Sequence, residues 1–401
     1  MKNSFKLLSL LLGFGMAFSF TACTEDDDNN GGNENETTNV IVTDNITENT
    51  TWTSENVYQL GGRIAVEAGA TLTIEPGTII KGEAGTGSNA TALLIARDAT
   101  IMAEGEATAP IIFTSVADEI TPEDVAAGDF ASPNLPPDIN GLWGGVIVLG
   151  NAHISVGDGT TAQIEGIPST DTNGEYGGTD DEDNSGVLKY ISIRHGGSNI
   201  GEGNEINGLT LGGVGNKTVV ENIEVVANQD DGIEWFGGTV NVSNVVVWNP
   251  GDDGLDTDQA WNGTCSNFAV IHPQGSLFEL DGPEGTYING NHTFTNGICK
   301  AGELGEELID FDASTNVNMS DVYFYDVPNE NIVVEEYADM VAATSSSVSN
   351  LEYTLADGVD ASVVFDGIDA AELTEVAEGQ NTVGPQTSIF SWTWAAAANA
   401  F

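Results

Sequence analysis

Basic residues are nearly missing from this chain. Lys and Arg number 9 against 62 Asp and Glu, a formal net charge of -53 over 401 residues. That balance excludes nucleic acid as a partner and electrostatic attraction to anionic membrane surfaces, since both need a cationic face. With Lys2 and Lys6 set aside in the leader described below, seven of the 9 remain to clamp any polyanionic substrate. Cysteine is equally sparse, at positions 23, 265 and 299, so no disulfide framework organises the fold. No phosphate-cradling loop or nucleophile motif is present. His153, His272 and His292 lack metal-ligand spacing. His195 follows Arg194, and a solvated or structural role suits it. The apolar run Leu7 to Phe20 is too short to span a bilayer comfortably.

Gly, by contrast, is abundant at 49 residues, and a hydrophobic content of 40% is enough for a packed interior. The chain repeats. Val220-Glu-Asn-Ile-Glu-Val225, Val242-Ser-Asn-Val-Val-Val247 and Cys265-Ser-Asn-Phe-Ala-Val270 place Asn at 222, 244 and 267. Between them lie Gln229-Asp-Asp-Gly-Ile-Glu-Trp235 and Gly251-Asp-Asp-Gly-Leu-Asp-Thr257. A period of 22 to 23 residues built from short alternating strands is the signature of a solenoid. One coil per period, each pairing with the next, predicts an all-β parallel β-helix. The stacked Asn residues suit a turn ladder, and Cys265 takes the slot of Val220 and Val242, so it reads as a small apolar core residue. Whether it bridges to Cys299 stays open.

The N-terminal half repeats with insertions. Val66, Ala70 and Leu72 recur as Ile95, Ala99 and Ile101, and again as Val148, Ala152 and Ile154. Long loops are expected near 116–140 and 155–186, where a regular scaffold usually carries binding. Asp369 to Val376 has the pattern of a short helix. The β-helix is predicted over 46–387, and residues 388–401, with Trp392 and Trp394, as a C-terminal cap over the last coil. A sugar-binding role for those tryptophans is the alternative.

The first residues read as targeting. Lys2 and Lys6 precede the apolar run, and Phe20-Thr-Ala-Cys23 resembles a lipobox, so 1–22 is predicted as a lipoprotein signal peptide with lipidation at Cys23. Thr24-Glu-Asp-Asp-Asp28 resembles the acidic surface-export signal of Bacteroidota-type lipoproteins. Residues 23–45 are polar and unpatterned, a flexible tether. Gly69-Ala-Thr-Leu-Thr-Ile-Glu-Pro-Gly-Thr-Ile-Ile-Lys81, Gly141-Leu-Trp-Gly-Gly145, Ile193-Arg-His-Gly-Gly197 and Ser391-Trp-Thr-Trp-Ala395 resemble a family of Bacteroidota surface lipoproteins over nearly all the mature chain. The resemblance implies a right-handed coil and a place on the outer membrane facing the cell exterior. It supplies no catalytic residues.

Four strands have an acidic centre: Glu234, Asp256, Glu279 and Asp310, at spacings of 22, 23 and 31. With apolar neighbours turned inward, these carboxylates form an outward ladder with rungs about 4.8 Å apart. A solvated charged face is one reading. A metal or raised pKa values is the other. Asp230-Asp231-Gly232 and Asp252-Asp253-Gly254 suit ordinary turns, or Ca²⁺ held by hard oxygen ligands. Asp180, Asp181 and Asp183, in the second insertion, are further candidate ligands. Parallel β-helices with Asp-Asp clusters resemble polygalacturonases, and an enzyme would use Glu234, Asp256 and Glu279; the Gly-His-Gly and Arg-Ile-Lys motifs of that family are missing. The favoured expectation is a noncatalytic, surface-anchored, Ca²⁺-stabilised module that binds glycan or a surface protein. The alternative is a polysaccharide-active glycoside hydrolase or lyase.

Overall fold

The computed structural model describes residues 38–401, apart from 86, 202, 203 and 304. The expected signal peptide, Cys23 and the part of the expected tether up to residue 37 lie outside the described residues. The β-helix begins earlier than expected. Thr38–Val42 is already a strand, paired in parallel with Asn56–Leu60, because Val40 and Val42 reach the core. This strand falls within the segment 23–45 expected to be unpatterned.

One coil explains the rest. Val219–Val226 runs as a strand that bends at Asn222, whose φ of 58° is left-handed, and bends again at Ala227 with φ 54°. The Asp-Asp-Gly turn follows, then Ile233–Phe236, then Gly237 and Gly238 at φ 65° and 83° return the chain to the next coil. Val220, Ile223, Val225, Ile233 and Trp235 all point inward and are buried. The next strand, Asn241–Trp248, stacks on it in parallel, in register on both sides of the Asn bend. Asn is suited to the first bend because its short amide tolerates left-handed backbone. It also bonds its neighbours up the stack. Asn244 donates to Asn222 at 3.2 Å, Asn267 to Asn244 at 3.0 Å and Asn296 to Asn267 at 2.6 Å. Two long parallel sheets result, so the predicted parallel β-helix is the fold.

Three local expectations are corrected. Val66, Ile95 and Val148 do stack, as do Leu72 and Ile101. Ile154 does not continue that row. The chain leaves the coil after Leu149, and the rung beside Ile101 is Gly186. The expected helix at 369–376 is one 3-10 turn, Ala370–Glu372, and a strand, Leu373–Glu375, that finds a partner in Leu351–Leu355. The last coil is closed by Tyr337–Ala343 and Ala361–Val364, through Tyr337 against Phe311 and Phe365 against Phe324 and Tyr353. Residues 388–401 lie elsewhere, along one side. Cys265 and Cys299 are both buried and free.

Three flanks face outward. The first, the hydroxyl flank, precedes the Asn bend. Its rungs from residue 241 onward are Asn241/Ser243, Thr264/Ser266, Thr293/Thr295, Asn318/Ser320 and Ser347/Ser349. The second flank is apolar and covered. Val226, Val246, Trp248, Ala269 and Ile271 lie under Phe390, Trp394 and Ala395 of the C-terminal strap, while Val57, Ile79 and Ile112 lie under Ile120 and Val125 of the first insertion. Beneath Trp394, buried Arg194 stands 3.7 Å from Glu224, which also accepts the amide of Ala395. The strap is thus pinned to the middle of the helix, which explains why it does not cap the end. The third flank holds one continuous outward column: Ala65, Leu94, Ile147, Thr210, Glu234, Asp256, Glu279, Asp310. Its apolar start lies under Ile154, Ile164, Ile167 and Tyr176 of the second insertion.

Candidate functional site: an acidic pocket on the third flank

The acidic ladder read from the sequence is in register, with Glu234 beside Asp256, Asp256 beside Glu279 and Glu279 beside Asp310. Its first two rungs are not a solvated face, whereas Glu279 and Asp310 are half-buried. Glu234 and Asp256 are only 7% and 8% exposed, and Asp231 in the turn below is 7% exposed. They line a pocket of about 390 Å³ whose walls include Glu165, Glu205, Asp230, Asp252 and Glu279, and no lysine or arginine. The ladder is walled in because the second insertion and the paired strands Ser198–Gly201 and Asn204–Ile206 stand beside it. Asp310 lies in the column but beyond the pocket walls.

Each Asp-Asp-Gly turn divides its work. The second Asp serves the backbone: Asp231 accepts the amide of Asp253 at 2.9 Å, and Asp253 accepts the amide of Ser276. This is the turn chemistry expected of the motif, and it holds consecutive coils in register. The first Asp, at 230 and 252, points into the pocket. Two triads of carboxylates converge, with ligand atoms within 4.8 Å of one another: Asp230, Asp231 and Asp252, and Asp231, Glu234 and Asp256. Asp231 belongs to both. Beside the second triad Asn207 donates to Glu234 and, at 3.3 Å, to Glu165. Its Oδ1 is fully buried with no hydrogen-bond partner among the described residues.

The electrostatic cost is visible in the carboxyl groups. Burial raises Glu165 to about 7, and burial followed by the charges of Glu165 and Glu205 raises Asp230 to about 8. Asp253 is pushed up to about 10 by burial and then Asp231. Asp231, Glu234 and Asp256 are buried enough to lie well above the usual carboxylate range, each lifted further by its acidic neighbours. Like charges one rung apart repel by roughly 3 kcal/mol at an effective dielectric of 20. The pocket therefore holds protons, or it holds a cation.

The other candidate ligands sit apart. Asp181 faces His153 at 2.9 Å, Asp183 accepts from Asn151 at 3.1 Å and from Ser185 at 3.2 Å, and Asp180 accepts the amide of Glu182. None of the three belongs to either triad. Asp253 also stands outside both, committed to its turn. Glu165 and Glu205 line the pocket, and Asn207 backs it through Glu234 and Glu165, without any sequence signal beyond their place in or beside a long insertion.

The family model described as a pectate-lyase like beta helix domain matches residues 44–128 and 137–397. The chain belongs to this family. The short gap at 129–136 falls in the first insertion, away from the pocket. No curated protein and no solved structure matches the chain. As a pectate-lyase-like β-helix protein it owes its coil to the family; the acidic pocket is argued from its own residues.

Proposed function

We propose that this chain is a noncatalytic binding module, held at the outer-membrane surface through lipid on Cys23 and stabilised by Ca²⁺ in the acidic pocket. The observation that carries the cation is the pair of carboxylate triads sharing Asp231, in a pocket whose lining has no basic residue. The donor set fits. Carboxylate and amide oxygens in irregular array are what Ca²⁺ prefers, and the orphaned Oδ1 of buried Asn207 is one more oxygen of that type. When bound, the ion supplies positive charge that the protein lacks. Asp230, Asp231, Asp252, Glu234 and Asp256 would hold it. A metal bound only by the folded state stabilises by RT ln(1 + [L]/Kd), about 2.7 kcal/mol at a hundredfold excess. Melting temperature should rise with millimolar Ca²⁺ and fall with chelator, beyond what matched monovalent salt produces. Asp252→Asn with Asp256→Asn should blunt the response. Identical melting in chelator and Ca²⁺ would remove the metal.

The surface anchor rests on Ala22-Cys23, the acidic run to Asp28 and the resemblance to Bacteroidota surface lipoproteins. Cys23→Ala should lose lipid labelling and membrane association; a variant still labelled and bound would overturn the anchor. Glycan and a surface protein are the ligand classes such a module serves.

A polysaccharide-active enzyme is the second reading. Glu165 at about 7 and Asp230 at about 8 lie where a general acid works at neutral pH, and Glu234, Asp256 and Glu279 would be its catalytic carboxylates. Against it, the pocket lining has no aromatic platform and no cationic clamp. Turnover of a neutral or acidic polysaccharide, lost in Glu234→Gln, would favour the enzyme.

A further inference from the structure

The apolar clusters that the insertions and the strap form on the coil include no residue of the hydroxyl flank. Five successive rungs, Asn241/Ser243 through Ser347/Ser349, carry only Asn, Ser and Thr, two outward side chains per rung. Rungs stand about 4.8 Å apart and the two columns about 7 Å apart, because alternate residues of a strand share a face. The result is a flat two-dimensional array of hydrogen-bonding groups. Part of it is satisfied along the stack: Thr295 and Ser320 share a hydrogen bond at 3.0 Å, and Ser347 donates to Asn318 at 3.0 Å. The hydroxyls of Ser243, Ser266, Thr264 and Thr293 have no protein partner among the described residues. A shallow groove of about 350 Å³ runs across this end of the array, between Val219, Asn241, Ser243, Thr264 and Ser266.

Charge decides the occupant. On a chain of net charge -53 these five rungs carry none; of the charges at their border, Asp321 is engaged by Thr295 at 3.5 Å and by Asn350 at 2.5 Å, and Lys189 and Glu221 neutralise each other at 3.2 Å. A polyanion is repelled by the field of the whole molecule. A polycation finds no carboxylate on these rungs, whereas it has eight on the walls of the acidic pocket. What matches an uncharged, periodic, donor-and-acceptor surface is an uncharged, periodic, donor-and-acceptor chain. We infer that the hydroxyl flank binds a neutral polysaccharide, laid across the rungs and held by hydrogen bonds to the Asn, Ser and Thr columns. This rests on the binding-module reading but on a different flank from the cation pocket, so the two separate experimentally.

The test is retention of the full chain on insoluble cellulose, xylan, mannan and β-1,3-glucan, with polygalacturonate as the anionic control, in Ca²⁺ and in chelator. Retention on at least one neutral polysaccharide is expected in both conditions. Asn241→Lys with Thr293→Lys should weaken it at least tenfold. Asn241→Glu with Thr293→Glu should do the same, and both variants should melt as wild type does. Asp252→Asn with Asp256→Asn should leave retention unchanged. Retention on none of the neutral polymers would overturn the inference. So would retention that survives both flank variants, or that disappears with chelator or with the pocket variant. Inhibition of ice growth without polysaccharide retention would overturn it as well, assigning the array to a water lattice.

Discussion

The hydroxyl flank and the acidic flank are carried by the same coils, yet they behave as opposites. A parallel β-helix forces each residue to stack on its counterpart one coil away, so whatever occupies one rung meets its own kind on the next. Stacked hydroxyls are cheap. Ser and Thr hydrogen-bond each other or water, and the surface stays flat and solvated. Stacked carboxylates repel, and walls raised around them by Glu165, Asn199 and Glu205 remove the water that would screen them. The fold tolerates the first ladder without help. The second persists only with protons or a cation, which is why it is the place to look for a bound ion.

The most damaging way to break the comparison is to move charge from outside to inside one strand. Ser243 and Val245 lie in Asn241–Trp248, on either side of the Asn244 bend, the first outward and the second fully buried. Val245→Asp puts a carboxyl into the core with no partner, a change on the order of 4 kcal/mol or more. Ser243→Asp leaves the charge in water and should cost about 0.5 kcal/mol or less. Thermal or urea unfolding of the pair checks this; similar stability for both would overturn the inward assignment.

How much of this could be read from sequence follows from the same stacking. Identical residues at a fixed period, such as Asn222, Asn244 and Asn267, announce the coil and even its bend. The ladder from Glu234 to Asp310 was legible for the same reason. Its enclosure was not, because Glu165 comes from an insertion with no period and reaches the ladder only through tertiary packing. The strap was misplaced because an apolar C-terminal segment suits any bare apolar surface. Sequence shows that Trp394 needs burial, not that Arg194 and Glu224 wait on the second flank to receive it.

The next effect sharpens the acidic side. The pocket carboxyls have folded pKa values raised by burial first, with Asp230 at about 8 and Glu165 at about 7. At neutral pH the unfolded chain has released these protons and the folded chain retains some, so stability falls as pH rises from about 4 through about 8. In chelator the melting temperature should drop on the order of 5 °C between pH 5 and pH 8. Ca²⁺ should narrow that gap, because it competes with the protons and binds better as they leave. A melting temperature independent of pH in chelator would mean that the carboxylates are solvated after all.

A smaller effect tests the corner between hydroxyl and apolar flanks. Asn244→Ala keeps the left-handed bend without the amide, losing two ladder hydrogen bonds and adding roughly 1–2 kcal/mol of backbone strain. Asn244→Gly loses the same bonds without the strain. Glycine should therefore be the milder substitution by about 1 kcal/mol, measured by chemical unfolding. Equal losses would show that the hydrogen-bonded ladder, rather than the bend, sets the preference.

The smallest effect separates two sets of acids that look alike in sequence. Asp181 and Asp183 stand in a run as acidic as any in the chain, and by composition alone they compete with the Asp-Asp-Gly turns for a cation. Their oxygens are already committed. Asp181 is held by His153 at 2.9 Å and Asp183 by Asn151 and Ser185, so a metal there would have to displace partners. The pocket triads converge with no basic partner in the walls and gain from an ion. Asp181→Asn with Asp183→Asn should thus leave the Ca²⁺-dependent rise in melting temperature within about 1 °C of wild type, while lowering the baseline by the loss of a partly exposed pair, about 0.5 kcal/mol. Asp252→Asn with Asp256→Asn should do the reverse. If the loop variant abolishes the response and the pocket variant keeps it, the cation belongs to the second insertion, and the buried ladder must be held by protons alone.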